Sequence, residues 1–193
     1  MSTPLIDRNL NIVFPVETSK GKAWVHSVPI SYEVFETHFM IISKTFAEIY
    51  SEGLQVAAGP RIAAIMMKRI AQDNKVWEGK EGVQNTLLAE IKRLTNVLVP
   101  NDDGSGYGLL PFDTAVGRGL LSINDVREAE GILIFFTCVS CIHTRRQIPG
   151  ILMASSRWGA QATYSSITDY QSSLTTSMKA DGSIKKAESS ATS

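Results

Sequence analysis

The chain has 193 residues, of which 44% are hydrophobic and 20% are charged, a composition that suits one globular domain of ordinary size. Nineteen Lys and Arg residues balance nineteen Asp and Glu residues, so no net charge attracts a phosphate backbone or an anionic membrane. No charge-free run of about 18 apolar residues is present, and no basic start leads into an apolar segment. We therefore expect no nucleic acid or membrane partner, and a cytoplasmic location.

The N-terminal segment alternates between apolar and other residues, as β-strands with one buried face do. The alternating residues are Leu10, Ile12, Phe14 and Val16, followed beyond Thr18–Gly21 by Trp24, His26 and Val28. Pro15 cannot donate a ladder hydrogen bond, so the first strand is expected to be an edge strand or to bend. The sequence predicts a small β-hairpin within residues 1–30.

The rest of the chain is dominated by helical periodicity. Ser31 is a suitable N-cap for the first helix, and Ser122, followed by Asp125 in the first turn, is a suitable N-cap for the longest one. Further helices are predicted from Pro60 at a first helical position, over 83–98, over 111–116 and over 151–160. The predicted fold class is mostly α, a helical bundle of about five or six helices with a small N-terminal β-hairpin.

The C-terminal residues differ in composition from the rest. Residues 175–193 contain only two large apolar side chains, Met178 and Ile184. Burial of two side chains does not offset an ordering cost of about 1–2 kcal/mol per residue. The sequence therefore predicts a single globular domain over 1–174, helical over 31–174, and a disordered, flexible polar tail over 175–193.

Both cysteines lie in one Cys-x-x-Cys motif, Cys138-Val-Ser-Cys141, inside an apolar run. A redox motif of the thioredoxin type places its first thiol at a helix N-terminus, where the helix dipole lowers the thiol pKa. A metal site needs two further ligands, and only His143 is close in sequence. Buried core cysteines are therefore the favoured interpretation, and a small redox protein centred on Cys138 is the alternative.

The sequence shows no catalytic constellation. The three histidines, His26, His38 and His143, lie in three different predicted elements, without the nucleophile and acid of a triad beside them. The glycine-rich segment 104–108 lacks the flanking elements and the lysine of a phosphate loop. The Asp-containing segment 101–108 lacks the bidentate acidic residue of a calcium loop. We expect a protein that is not an enzyme and that uses no cofactor and no metal.

An aromatic stripe on the first helix is the main candidate for a binding surface. Phe35, Phe39 and Phe46 recur at helical spacing, and Ile42 and Ile49 belong to the same stripe. Core packing accounts for most stripes of this kind. The functional alternative is a groove for a partner helix.

Two further residue pairs are candidate partner contacts. Met66 and Met67 have flexible, polarizable side chains that adapt to different partners or fill gaps in a core. Arg157 and Trp158 are of the residue types enriched at binding hot spots. The alternative interpretation is that these two residues anchor the terminal helix.

Several segments together carry a family resemblance. They are NLNIVFPVETSKGKAWVHSVPISYEVFETHFMIISKTFAEIYSEGL, GPRIAAIMMKRIA, EIKRLTNVLVP, FFTCVSCIHTRRQIPGIL and RWGAQATYSS, with the polar Ser/Thr/Lys tail behind them. In this order they resemble the tail assembly chaperones of long, non-contractile-tailed bacteriophages of the lambda type. The resemblance covers nearly the whole chain.

The resemblance implies a function in virion morphogenesis. It implies a small, mostly helical protein of the host cell cytoplasm that binds the tape measure protein, helps recruit tail tube subunits and is absent from the mature virion. It also implies a longer form of the same protein, made by ribosomal frameshifting. Lys185-Lys186 is the candidate site, because tandem lysine codons can form a slippery run, and the alternative is a solvated tail that carries two lysines. The sequence leaves homo-oligomer formation open.

The runner-up is a structural virion component, such as a tail-terminator or connector subunit. Such a subunit would assemble into a ring through the exposed edge of the N-terminal hairpin.

Overall fold

A computed structural model describes residues 10–51, 55–153 and 159–177, and for residues 55 and 56 it describes the backbone alone. Within these ranges the chain forms five strands and seven helices. The strands are β1 (Asn11–Thr18), β2 (Gly21–Ser27), β3 (Thr95–Pro100), β4 (Tyr107–Pro111) and β5 (Gln161–Thr163). The helices are α1 (Tyr32–Ser51), α2 (Gln55–Asp73), α3 (Leu87–Arg93), α4 (Phe112–Gly117), α5 (Ile123–Ile142), α6 (Ile148–Leu152) and α7 (167–177).

All five strands form one antiparallel sheet, in the order β4-β3-β2-β1-β5. The β1–β2 hairpin lies inside this sheet, because β3 pairs with β2 and β5 pairs with β1. The predicted helical bundle with only a small hairpin is therefore wrong. The protein combines a five-stranded sheet with a helical layer.

The missed strands are short and apolar. The helical periodicity predicts a helix through residue 98, whereas the chain leaves α3 at Arg93 and enters β3 at Thr95. Thr95 and the three consecutive residues 97–99 are buried, and β-branched residues suit a strand packed in this way. A short apolar run fits the periodicity of a helix and that of a strand equally well. Pairing with β2, which is far away in sequence, selects the strand here. β5 has three residues, too few for a periodic signal.

α5 is the central helix of the fold. Every residue from Gly131 to Ser140 is buried, because the helix contacts β1 on the sheet as well as α1 and α2. A helix that is apolar all round is expected to be enclosed in this way. At its start, Ser122 accepts a hydrogen bond from the Asp125 backbone N–H at 3.2 Å, and the Asp125 carboxylate accepts one from the Ser122 N–H. The predicted N-cap at Ser122 is confirmed.

α2 and α5 approach each other closely at two glycines. A Cβ at Gly131 would overlap the carbonyl oxygen of Pro60, and a Cβ at Gly59 would overlap the ring of Phe135. Pro60 lies inside α2, which begins at Gln55, and not at the first helical position that the sequence predicted. The crossing of these two helices therefore depends on residues without side chains.

The outer face of the sheet, opposite α5, is crossed by α7 and the segment before it. The ring of Tyr170 lies edge-on to Trp24, with 6.0 Å between centroids. The carbonyl oxygen of Ser165 accepts a hydrogen bond from Asn11 Nδ2 at 3.0 Å. Residues 175–177, which the sequence predicts to be part of the polar tail, belong to α7, and residues 178–193 lie outside the described residues.

None of the helices in the described ranges is long and apolar enough to cross a membrane.

We expect Gly131→Ala to lower the free energy of unfolding by about 3 kcal/mol, because the added methyl group forces α2 and α5 apart in a fully packed region. Gly150→Ala is the matched control, since Gly150 also lies in a helix but has open space around its Cβ position. Urea denaturation of both variants measures the difference. Equal stability of the two variants would contradict the close packing of α2 on α5.

Candidate partner-binding surface

The N-terminal half of α1 carries a row of three aromatic residues, Tyr32, Phe35 and Phe39, called here the α1 aromatic row. Their rings meet edge to face, with centroid distances of 6.2 Å from Tyr32 to Phe35 and 5.7 Å from Phe35 to Phe39. Phe39 is 50% exposed, and its neighbour Met40 is 60% exposed. Tyr32 and Phe35 are half-buried, so Phe39 and Met40 provide most of the apolar surface that this part of α1 exposes among the described residues.

The C-terminal half of the predicted stripe belongs to the core. Ile42 and Ile49 are fully buried. Phe46 is partly buried and packs against Tyr50 at 4.7 Å and against His143 at 4.9 Å between ring centroids. Phe46 therefore attaches α1 to the end of α5. Phe35 is also half-buried against the core, whereas Phe39 is exposed.

The other candidate contacts do not join this surface. Met67 is completely buried in the hydrophobic core, so it offers no surface to a partner. Met66, the next residue on α2, is half-buried. Arg157 and Trp158 lie outside the described residues.

Two surface residues were missed in the sequence. Tyr32 lies three residues before Phe35 and extends the helical repeat, so the same periodicity could have identified it. Met40 lies beside the stripe and not in it, and only its 60% exposure distinguishes it from the buried Ile41 next to it. The sequence carries no signal for that difference, because both residues are large and apolar.

The two cysteines are free and packed in the core side of α5. Cys138 is completely buried, and burial raises the pKa of its thiol far above the usual range. Burial also raises the pKa of Cys141 to about 12. Neither thiol forms a thiolate at neutral pH, which both a nucleophile and a metal ligand require, so the surroundings of Cys138 do not support a redox role.

Within the described ranges, no group of three or more His, Cys, Asp and Glu residues is close enough to hold a metal ion.

The three histidines lie in separate parts of the structure. His26 on β2 is buried, and its Nε2–H donates to the carbonyl oxygen of Ser165 at 3.1 Å. His38 on α1 is half-buried, and His143 follows the last turn of α5 with its Nε2 enclosed and unpaired among the described residues. Burial lowers the pKa of all three, so each is neutral at pH 7.

Comparison with known proteins finds no family model, no curated protein and no solved structure that matches this chain. Function is therefore inferred from the residues of the chain itself. The resemblance to tail assembly chaperones stays an expectation from the sequence.

We expect the free energy of unfolding to fall as the pH drops below about 6.5, because the unfolded chain takes up protons there while the buried histidines stay neutral. His26→Gln retains an N–H donor toward Ser165 but cannot titrate. Its loss of stability between about pH 7 and pH 5, measured by urea denaturation, should be smaller than that of the parent.

His38→Gln is the control, because His38 is less enclosed than His26 and its replacement should change the pH dependence less. If His26→Gln and the parent lose equal stability over this interval, the lowered pKa of His26 is not the cause.

We expect native protein to react with iodoacetamide at least about 100-fold more slowly than urea-unfolded protein, because neither thiol is ionised in the fold, Cys138 is fully buried and Cys141 is half-buried. Mass spectrometry would show two labels on the unfolded chain and none on the native chain after the same time. Rapid labelling of native Cys138 would indicate an exposed, reactive thiol and revive the redox interpretation.

Proposed function

We propose that this protein is a tail assembly chaperone of a long, non-contractile-tailed bacteriophage. In this proposal it binds the tape measure protein in the host cell cytoplasm, helps recruit tail tube subunits and is absent from the mature virion. The observation that supports the proposal is the exposed apolar surface of the α1 aromatic row and Met40. A tape measure protein is a long amphipathic helical chain, whose apolar side needs cover until the tail assembles.

The surface has the properties of a helix-binding site. Tyr32, Phe35 and Phe39 repeat at the spacing at which one helix presents anchors to another. Ile42 and Ile49, further along the same stripe of α1, are fully buried and Phe35 packs against the core, so the surface is held rigidly before a partner arrives. Rigid support lowers the entropy cost of binding.

Met40 lends the surface adaptability. Its unbranched thioether side chain fits against many different apolar shapes. A chaperone that follows a long helical chain of changing sequence needs such tolerance more than it needs high affinity at one place.

The structural virion alternative gains less support. β5 pairs with β1 over residues 11–13 and β3 pairs with β2 over residues 24–27, so only the part of the hairpin near its turn has open edges, and β1 carries Pro15 there. At the β4 edge of the sheet, Pro111 has no N–H, and the carbonyl oxygen of Tyr107 accepts a hydrogen bond from Gln171 at 2.5 Å. Both features hinder the addition of a strand from another subunit.

A longer form of the protein is part of the proposal. Its expected junction at Lys185-Lys186 lies outside the described residues. A minor larger product sharing residues 1–184 in infected cells would support this part, and its absence would remove it without affecting binding by α1.

We expect the double variant Phe39→Ser, Met40→Ser to bind helical segments of the tape measure protein about 10- to 100-fold more weakly than the parent, because it loses two exposed apolar contacts. Met153→Ser is the control, since Met153 is 71% exposed on a different part of the surface. Calorimetric titration measures the affinities. Unchanged binding by the double variant would exclude the α1 surface, and no binding by the parent would refute the chaperone proposal.

A further inference from the structure

A groove of about 400 Å³ opens between α2 and the first turns of α5. It lies next to the contact between Pro60 and Gly131, where the two helices come closest. Its lining consists of Arg61 and Ile65 from α2 and Asn124, Arg127 and Glu128 from α5.

The groove is positively charged in a chain whose net charge is zero. Two guanidinium groups and one carboxylate line it, which leaves one net positive charge. Neither Arg61 nor Arg127 forms an ion pair, hydrogen bond or ring contact with any described residue. Many of the other described Lys and Arg side chains do have such partners, including Lys20, Lys92 and Arg93.

An exposed apolar residue lies between the charges. Ile65 is 63% exposed, and Arg61 and Arg69 lie one helical turn before it and one turn after it on the same side of α2. Arg69 is exposed and also has no partner among the described residues. One face of α2 therefore presents an apolar contact with an unpaired cation on each side.

We propose that this groove binds an acidic amphipathic helix of a partner protein. Apolar residues of that helix would pack on Ile65, and its carboxylates would face Arg61 and Arg127. A third helix fits between two others because its side chains pack into the spaces between theirs.

The positive charge of the groove favours an acidic helix over other occupants. A partner helix that carries carboxylates would pair with arginines that have no partner now, whereas a basic helix would be repelled. A nucleic acid backbone is disfavoured, because Glu128 leaves the groove with only one net positive charge and phosphate binding depends on several.

Two synthetic helical peptides with identical apolar positions test the proposal, one carrying Glu and the other Lys at the flanking positions. We expect the full-length protein to bind the Glu peptide at least about tenfold more tightly than the Lys peptide, and more weakly as salt rises. Equal binding of the two peptides, or no binding of either, would overturn the proposal.

The double variant Arg61→Ala, Arg127→Ala should bind the Glu peptide about tenfold more weakly than the parent. The control is Arg118→Ala, Arg146→Ala, which removes two exposed arginines without partners among the described residues. Both variants remove exposed side chains, and equal urea midpoints would confirm that both are folded. Equal affinities of the two variants for the Glu peptide would contradict the proposal.

The groove is independent of the α1 aromatic row. The Phe39→Ser, Met40→Ser variant should bind the Glu peptide normally, so failure of tape measure binding and failure of this proposal are distinguishable. Analytical ultracentrifugation completes the test, since a dimer that the Arg61→Ala, Arg127→Ala variant loses would show that a second copy fills the groove and overturn the proposal.

Discussion

The contact between Gly131 of α5 and the backbone of Pro60 in α2 is the constraint on which the helical layer depends. Because Gly131 has no side chain, the backbone of α5 packs directly on the backbone of α2 at Pro60. Because Gly59 has none, the ring of Phe135 packs directly on the backbone of α2. Such close approach lets α5 be enclosed from Gly131 to Ser140 between α2, α1 and β1. The enclosure in turn keeps Cys138 un-ionised, because a thiolate cannot be solvated there.

The sheet packs against α5 through β1. Its inner face contributes Val25, Val97 and Phe14 to the core, while its outer face carries His26 and Trp24 toward α7 and the segment before it. The β1–β2 hairpin lies at the centre of the sheet, so its strands gain partners from residues about 70 and 150 positions away. A sheet joined by such distant segments forms only as the whole domain folds.

Among the surfaces that the described residues leave open, two have features of a binding site. The α1 aromatic row is apolar and rigidly supported, whereas the groove beside Arg61 and Arg127 combines charge with one exposed isoleucine. The stripe of Phe35, Phe39 and Phe46 was visible in the sequence, but its division into a surface half and a core half was not. The groove could not be found from the sequence, because Arg61 and Arg127 are 66 positions apart and no local pattern relates them.

The sequence by itself determined the elements whose signals are local: the hairpin, the Ser31 and Ser122 helix starts, and the apolar character of α5. Caps and alternation depend on neighbouring residues, so they can be recognised without the fold. The tertiary structure alone decided that Thr95–Pro100 is a strand, that Pro60 lies inside a helix, and that Met67 is buried while Met40 is exposed. Each of these outcomes depends on which distant surface packs against the residue, and residue type and spacing do not specify that surface.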